Sequence, residues 1–367
     1  MRKKDILKQR LLNQHILGVL FEKPDDMVRW MGAVQAQNFL GSLWAMGIRV
    51  KNAKEPDIEH AIADKTIVRT WLLRGTLHFV AVEDVKWILD LVAPRIIASN
   101  ANLLKTNFKL DNNEFKRIKK VIVSVLEGGQ SLTRNKIYNE LKKANISTEG
   151  VRGLHIFHRL ALDGLICFGA REGKQQTFVL LDEWLPNTKS MGQDKALGEL
   201  ARRYFTSHGP ATIQDFRWWS GLRDADARNA LDTIKSQLLS EDIDNQTYWF
   251  QSFKETDNKY PVSQLLSNFD EYFIGYKDRN NLVNGIYTKE SNINDFIFNS
   301  NIIINGKIVG AWKRTFKEGK VIITLNYYKS LNNEENQAVK KAAKSYGEFL
   351  DARVHLLESK KIMNKNK

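Results

Sequence analysis

Two glutamines separated by a single residue, Gln35 and Gln37, interrupt an otherwise apolar or small stretch, WMGAVQAQNFLGSLW, at residues 30–44. Each amide side chain offers a carbonyl acceptor and two N–H donors. Burying such a group without partners costs on the order of 1–3 kcal/mol. The pair is therefore either satisfied by the fold, as side chains that cap neighbouring helix ends, or used to bind a ligand. The spacing by itself favours the capping interpretation.

The backbone around the two amides decides whether they can act together. On a helix, residues two apart point roughly 200° away from each other, whereas on an extended chain they share a face. A shared site therefore requires the helix that begins near Pro24 to end near Gly32 or Ala33. Gly32 weakens a helix and Asn38 favours a turn, so the local sequence permits an extended segment.

The charge of the chain indicates a polyanionic partner. The 367 residues include 56 Lys and Arg against 42 Asp and Glu, which gives a formal net charge of +14 and a pI near 9.6. Such an excess favours binding to phosphates through counterion release. Nucleic acid is the first expected partner and an acidic membrane surface the second. Because the charge is spread along the chain, we expect a broad binding surface instead of one polybasic anchor.

Other features narrow the class of protein. No apolar run approaches the roughly 20 residues that a membrane span needs, and the basic N-terminus lacks the apolar core of a secretory signal. The single cysteine, Cys167, excludes an internal disulfide and a thiolate metal site within one chain. The common nucleotide, metalloprotease and hydrolase motifs do not occur. We expect a cytoplasmic, nucleoid-associated monomer that uses no metal and no cofactor.

Helical periodicity and a recurring order of elements predict a mainly α fold with β wings, which is an α+β class. Residues 114–182 are predicted to form three helices and a β-hairpin, the order of a winged helix-turn-helix. Looser versions occupy residues 6–80 and 194–250. We predict winged-helix units at 1–105, 106–188 and 189–255, followed at 256–367 by a β-rich, barrel-like domain with a closing helix.

The third helix of the second unit is predicted to be a DNA recognition helix. Arg152, His155, His158 and Arg159 lie on its polar side. His155 and His158 are three residues apart and could share a metal, but no third ligand has a useful spacing. The basic helix is therefore the better explanation of these side chains.

The segment RTWLLRGTLHFV alternates about Gly75. This alternation predicts that Arg74, Thr76 and His78 share one face of a strand. Such a face lies either at the protein surface or along a cleft.

Two pairs of neighbouring residues have ordinary structural explanations. Asp270 and Glu271 form an acidic pair in a basic protein, and we predict solvated charges at a strand end in preference to an acid/base role. Trp218 and Trp219 could stack on nucleic-acid bases. Their helical spacing favours the core for both.

The C-terminal region is predicted to be rich in strands. Asn305-Gly306 between alternating apolar runs predicts a hairpin, and EGK at 318–320 predicts a second one. Lys313 and Arg314 follow the first turn and are candidates for DNA or cleft contacts. A closing helix is predicted to pack an apolar stripe that extends to Val354 onto the sheet.

Four segments, AVQAQNF, VRTWLLRGTLHFV, NFDEYFIGYKDR and GKIVGAWKR, together resemble the AlkZ/YcaQ-like winged-helix DNA glycosylases, in order and over nearly the whole chain. The resemblance implies three tandem winged helices with a C-terminal β-barrel. It also implies an enzyme that removes alkylated bases and unhooks interstrand crosslinks. Members of that family carry Q-x-Q or Q-x-D at the catalytic position, which corresponds to Gln35 and Gln37 here.

The chemistry of amides fits such a reaction. A guanine alkylated at N7 already carries positive charge, so its departure needs little help from an acid. An amide carbonyl can accept a hydrogen bond from the attacking water and orient it. We therefore hypothesise a monofunctional glycosylase for cationic N7-alkylpurine or crosslinked lesions. The alternatives are a non-catalytic winged-helix DNA-binding protein, such as a transcription regulator, and an RNA-binding protein.

Overall fold

The computed structural model describes residues 3–253, 261–283, 295–317 and 319–358. Over these residues the protein has a mixed α and β fold, divided into two compact units. Unit 1 comprises Met1–Ile58 and Gly198–Lys367, and unit 2 comprises Glu59–Leu197. Unit 2 is thus inserted between two segments that fold together. The four-domain division expected from the sequence stays a prediction.

The first segment contains the helices expected there, the last of which runs on into unit 2, and a short strand. These elements are α1 (Lys3–Asn13), α2 (Pro24–Met31), β1 (Val34–Gln35), α3 (Phe39–Gly47) and α4 (Glu55–Ala63). Helix α2 begins with proline and two aspartates, residues that suit the first turn of a helix. Its buried face consists of Met27, Val28 and Met31.

Unit 2 contains an antiparallel sheet and several helices. In chain order they are β2 (Ile67–Trp71), β3 (Leu77–Ala81), α5 (Val85–Phe108), α6 (Asn112–Leu126), β4 (Leu132–Thr133), α7 (Arg134–Lys143), α8 (Arg152–Leu162), β5 (Ile166–Phe168), β6 (Thr177–Leu180) and α9 (Leu181–Trp184). Its strands lie side by side in the order β3-β2-β5-β6-β4. In its core, the rings of Phe157 and Phe178 stack 4.2 Å apart. The helices and hairpin predicted for residues 114–182 are therefore present.

Helix α5 was not expected from the sequence. It runs for 24 residues and has Pro94 in its interior. A proline inside a helix removes one backbone hydrogen bond and usually ends or kinks the helix. Burial of Trp87, Ile88 and Val92 on one face shows why tertiary packing keeps this segment helical.

The second segment of unit 1 has helices first and strands afterwards. Its elements are α10 (Gln193–Ser207), α11 (Ile213–Ser220), α12 (Asp224–Ile234), β7 (Leu239–Ile243), β8 (Gln246–Phe250), β9 (Ser263–Leu265), α13 (Glu271–Ile274), α14 (Asp295–Phe298), β10 (Ser300–Ile304), β11 (Lys307–Lys317), β12 (Lys320–Tyr327), α15 (Asn333–Phe349) and β13 (Arg353–Glu358). Strands β7 and β8 form a separate hairpin. A second sheet has the order β13-β12-β11-β10-β9.

This second sheet confirms the first predicted hairpin. Asn305 and Gly306 have φ angles of 51° and 81° between β10 and β11, as a two-residue hairpin turn requires. The turn predicted at 318–320 connects β11 to β12, but its residue 318 lies outside the described residues. The predicted stripe on α15 was wrong at its C-terminal end. The helix stops at Phe349 and Val354 belongs to β13, which pairs parallel with β12.

Candidate active site

The chain leaves α2 at Gly32 and becomes extended before it reaches the first glutamine. Gly32 is the C-cap of α2 and has φ +77°, a conformation that costs glycine little. Val34 and Gln35 then adopt strand conformation. Helix α2 therefore ends where a shared site for the two glutamines requires it to end, and Gln35 and Gln37 are not separated by helical geometry.

The glutamines do not cap the following helix. The N-cap of α3 is Asn38, whose Oδ1 accepts the backbone N–H of Gly41 at 3.0 Å. The side-chain Oε1 of Gln35 instead accepts the backbone N–H of Gln37 at 3.2 Å. Gln35 is 7% exposed, whereas Gln37 is exposed. The capping interpretation of the pair is therefore wrong for α3, because the neighbouring Asn38 is the N-cap of that helix.

Asp270 and Glu271 are not solvated and do not lie at a strand end, so that prediction was wrong. Each is only 1% exposed. Asp270 is the N-cap of the short helix α13, with its Oδ1 accepting the backbone N–H of Tyr272 at 2.9 Å. Glu271 accepts the backbone N–H of Gln35 through Oε1 at 2.8 Å. Remote hydrogen-bond donors make the burial of both carboxylates possible.

An indole and an imidazole complete the surroundings of Glu271. Trp219 donates its Nε1–H to Oε2 of Glu271 at 3.1 Å, and Nε2 of His208 lies 3.5 Å from the same oxygen. Trp219 is fully buried, as predicted.

Trp218 is 40% exposed, so the prediction of a core position was wrong for it. Its Nε1–H donates to the carbonyl of Ile274 at 3.1 Å.

Asp270 also accepts hydrogen bonds from Arg49, whose side chain is fully enclosed. Nη2 lies 2.7 Å from Oδ1 and Nη1 lies 3.0 Å from Oδ2. The two side chains are 1% and 0% exposed. The side chain of Gln14 joins Arg49 to Tyr276, whose hydroxyl donates to the carbonyl of His208 at 2.8 Å. A buried polar network thus holds Asp270, the neighbour of the carboxylate that binds the backbone of Gln35, and hydrogen-bonded networks of this kind are rigid.

The residues of RGTLH do not share one strand face, contrary to the prediction. Arg74 lies in a 3-10 turn, Leu73–Gly75, with φ 56°. Thr76 follows that turn, and only His78 belongs to β3. His78 is completely buried and its Nδ1 lies 2.9 Å from the carbonyl of Thr76. The tight turn about Gly75 breaks the alternation on which the prediction depended.

The basic residues of α8 lie on that helix as expected, and they make contacts within unit 2. Nη2 of Arg152 lies 3.0 Å from Oε1 of Glu114, and Arg159 donates from Nε to Oδ1 of Asp163 at 2.9 Å. Burial lowers the pKa of His155. These contacts attach α8 to its neighbours, and a role at DNA stays a prediction.

Lys313 and Arg314 are adjacent on β11. Lys313 is exposed and pairs with Thr324 of β12. Arg314 donates from Nη1 to the hydroxyl of Tyr346 on α15. The lysine therefore presents its charge to solvent, while the arginine holds the closing helix against the sheet.

The model of the family described as DNA glycosylase AlkZ-like matches residues 28–349. The chain belongs to this AlkZ-like family. The match includes both glutamines, Glu271 and β11. The interstrand DNA cross-link repair glycosylase of Streptomyces sahachiroi is 22% identical over 307 residues, which cover 78% of this chain and 81% of that protein. The solved structure of Streptomyces sahachiroi DNA glycosylase AlkZ has the same fold, with a TM-score of 0.78, 17% identity, and coverage of 98% of this chain and 100% of that one.

As a member of the AlkZ-like family, the chain is a DNA glycosylase with DNA as its substrate. This favours the enzyme over the non-catalytic regulator. Among the described residues, no group of three or more His, Cys, Asp and Glu is arranged to hold a metal. No helix in the described part of the chain is long and apolar enough to cross a membrane.

Sequence reasoning did not place three residues near the candidate site: Glu271, which was interpreted as a solvated charge, His208 and Arg49. A signal for Glu271 was available, because an acidic pair inside the apolar run NFDEYFIGY is costly unless buried donors meet it. His208 and Arg49 lie in segments without comparable local signals. Their roles depend on partners that only the fold brings near.

Proposed function

We propose that this AlkZ-like glycosylase hydrolyses the N-glycosidic bond of cationic N7-alkylpurine lesions in double-stranded DNA. Gln35 and Gln37 position the attacking water. The enzyme is monofunctional and releases the base without a covalent intermediate on the protein.

The single observation that carries this proposal is the bracing of an extended Gln-x-Gln segment. The backbone of Gln35 is held by a buried carboxylate at 2.8 Å, and its side-chain carbonyl is oriented by the backbone of Gln37. Gln37 follows on the same short segment with an exposed side chain. Precise placement of a water relative to the anomeric carbon is worth several kcal/mol of the barrier. A rigid backbone supports such placement better than a mobile loop does.

Neutral amides also account for selectivity. An amide orients water without removing its proton, and it is a weak catalyst for an undamaged, uncharged base. A cationic purine leaves with little acid help. The chemistry of the two glutamines therefore favours N7-alkylated bases.

We further propose that the substrates include interstrand crosslinks. The relative from Streptomyces sahachiroi that is named an interstrand DNA cross-link repair glycosylase supports this extension. A crosslink through purine N7 atoms would present the same cationic leaving group as a simple N7-alkylguanine, so one mechanism would serve both lesions.

The proposal for DNA binding uses three tandem winged helices and a β-barrel-like C-terminal domain in a monomer. Helices α6 to α8 with strands β4 to β6 have the element order of a winged helix. Helices α10 to α12 with hairpin β7–β8 support a second unit. Arg152, His155 and Arg159 on α8 and Lys313 and Arg314 on β11 are the proposed contacts to DNA.

The test is excision of N7-methylguanine from duplex DNA by Gln35→Ala and Gln37→Ala variants under single-turnover conditions. We expect each variant to release base roughly tenfold more slowly, or worse, because water is no longer positioned. Duplex affinity and the unfolding midpoint should stay near those of the wild type. Gln37→Asp should retain activity, because a carboxylate can also orient water.

Gln237→Ala is a matched control, since Gln237 is an exposed glutamine of the same unit. It should excise at the wild-type rate. Wild-type protein that releases no base, or alanine variants that lose stability and activity in parallel, would remove the catalytic assignment.

A further inference from the structure

The strongest observation outside the glutamines is a buried carboxylate whose hydrogen bonds converge on their segment. Oε1 of Glu271 accepts the backbone N–H of Gln35 at 2.8 Å, across 236 positions of the sequence. Oε2 accepts the indole N–H of Trp219 at 3.1 Å. Each carboxylate oxygen therefore accepts a hydrogen bond from a neutral N–H donor. Hydrogen bonds to a charged acceptor are roughly twice as strong as neutral ones.

Trp219 connects this carboxylate to the end of α2. A Cβ atom added at Gly32 would lie 3.5 Å from Cη2 of Trp219 and 3.5 Å from Cβ of Arg203. The indole thus packs against the residue at which the helix breaks. Glu271 and Trp219 together support both the start of the extended segment and its first glutamine.

The imidazole ring of His208 lies beside Oε2 of Glu271. The hydroxyl of Ser207 donates to the carbonyl of Arg203 at 2.7 Å, so its oxygen accepts from Nδ1–H of His208 at 2.8 Å. A neutral ring with its proton on Nδ1 turns an unprotonated Nε2 towards Glu271, which agrees with a separation of 3.5 Å. Burial lowers the pKa of His208 and favours this neutral form. The imidazole therefore lies beside the carboxylate oxygen that accepts the indole N–H of Trp219.

We propose that Glu271 is a positioning residue of the glycosylase: its carboxylate holds the backbone of Gln35 so that the amide keeps the geometry that orients water. Glu271 touches no substrate and acts through Gln35. This inference rests on the proposed function of the glutamines. Its consequence is that part of the catalytic geometry is set by a residue far from the Gln-x-Gln motif in the sequence.

The experiment measures single-turnover release of N7-methylguanine by Glu271→Gln, Gln35→Ala and the double variant. Glutamine has nearly the volume of glutamate, but its NH₂ group faces a donor in one of the two hydrogen bonds. Because small displacements of a catalytic group cost up to roughly a hundredfold in rate, we expect Glu271→Gln to be about tenfold slower. Duplex affinity and the unfolding midpoint should stay near wild type. The double variant should be no slower than Gln35→Ala alone.

Trp219→Phe provides a second arm. It removes the indole donor and keeps the hydrogen bond that the backbone N–H of Gln35 donates to Oε1, so it should slow excision less than Glu271→Gln does. An equal loss in both variants would indicate general packing and overturn the inference. A Glu271→Gln enzyme at the wild-type rate would overturn it too. So would a loss that multiplies with that of Gln35→Ala, or one that only follows a fall in the unfolding midpoint.

The two proposals fail in different ways. Gln35→Ala at the wild-type rate would overturn the proposed function of the glutamines. A slow Gln35→Ala with a normal Glu271→Gln would leave that function intact and overturn only the role of Glu271.

Discussion

The ion pair between Arg49 and Asp270 offers a quantitative test of the network around the site. Arg49 has five N–H donors, and each has an acceptor. Nε donates to the carbonyl of Gln14, Nη1 to the carbonyl of Ala45 and to Asp270, and Nη2 to Oε1 of Gln14 and to Asp270. Asp270→Ala removes two of these acceptors. It also removes the negative charge that is paired with the buried guanidinium. It also removes the N-cap of α13.

We expect Asp270→Ala to lower the free energy of unfolding by about 3–5 kcal/mol, the usual effect of removing one partner of a buried pair. With a urea dependence of roughly 1–3 kcal/mol per molar, the unfolding midpoint should fall by about 1 M or more. The measurement is urea unfolding followed by tryptophan fluorescence. Arg49→Met in the Asp270→Ala background should recover part of the loss, because the unpaired charge is then removed as well.

A surface pair provides the matched comparison. Arg29 and Asp26 are also 2.7 Å apart, but their side chains are 40% and 50% exposed. Asp26→Ala should cost between 0 and about 1 kcal/mol, since water screens exposed pairs. If Asp270→Ala is no more destabilising than Asp26→Ala, the claim that loss of a buried partner costs more stability than loss of an exposed one is refuted for this protein.

Two predictions concern titration of buried groups. Cys167 is 1% exposed and burial raises the pKa of its thiol. Dithionitrobenzoate should therefore react with this cysteine only after urea unfolds the protein. Fast labelling of the native enzyme would contradict this. Burial lowers the pKa of His208 and of His158, so below a pH of about 6.5 the unfolded chain binds more protons than the folded one. The contribution of these groups to the free energy of unfolding should therefore be fully present above that pH and be lost as the pH falls through it. Urea midpoints at about pH 7.5 and 5.5 measure this loss, and His208→Gln should make it smaller. An equally steep fall in that variant would assign the effect to other groups.

Local signals in the sequence were sufficient for two turns of the backbone. Gly32 permitted α2 to end before the glutamines, and Asn305-Gly306 predicted the hairpin between β10 and β11. Both depend on the φ angles that glycine and asparagine tolerate, a property of the residues themselves. The family was identified because such local segments recur in a fixed order along the chain.

The surroundings of the glutamines could not be predicted in the same way. From the sequence, Glu271 is expected to be a surface charge. It is buried because the backbone N–H of Gln35, 236 positions away, donates a hydrogen bond to it. Trp218 and Trp219 have the same residue type and adjacent positions, yet one is 40% exposed and the other is buried. Helix α5 passes through Pro94 because packing of its apolar face outweighs the lost hydrogen bond. Each of these outcomes depends on long-range contacts.

The insertion of unit 2 between the two segments of unit 1 imposes an order on biosynthesis. Residues 59–197 are contiguous and can fold while the ribosome is still translating. Gln35 is translated early, but Glu271 follows 236 residues later, roughly 10–50 s at ordinary elongation rates. During that interval the glutamine segment lacks its carboxylate, and the indole of Trp219 is synthesised only late in it. Unit 2 can therefore be folded before the candidate site in unit 1 has its full set of residues.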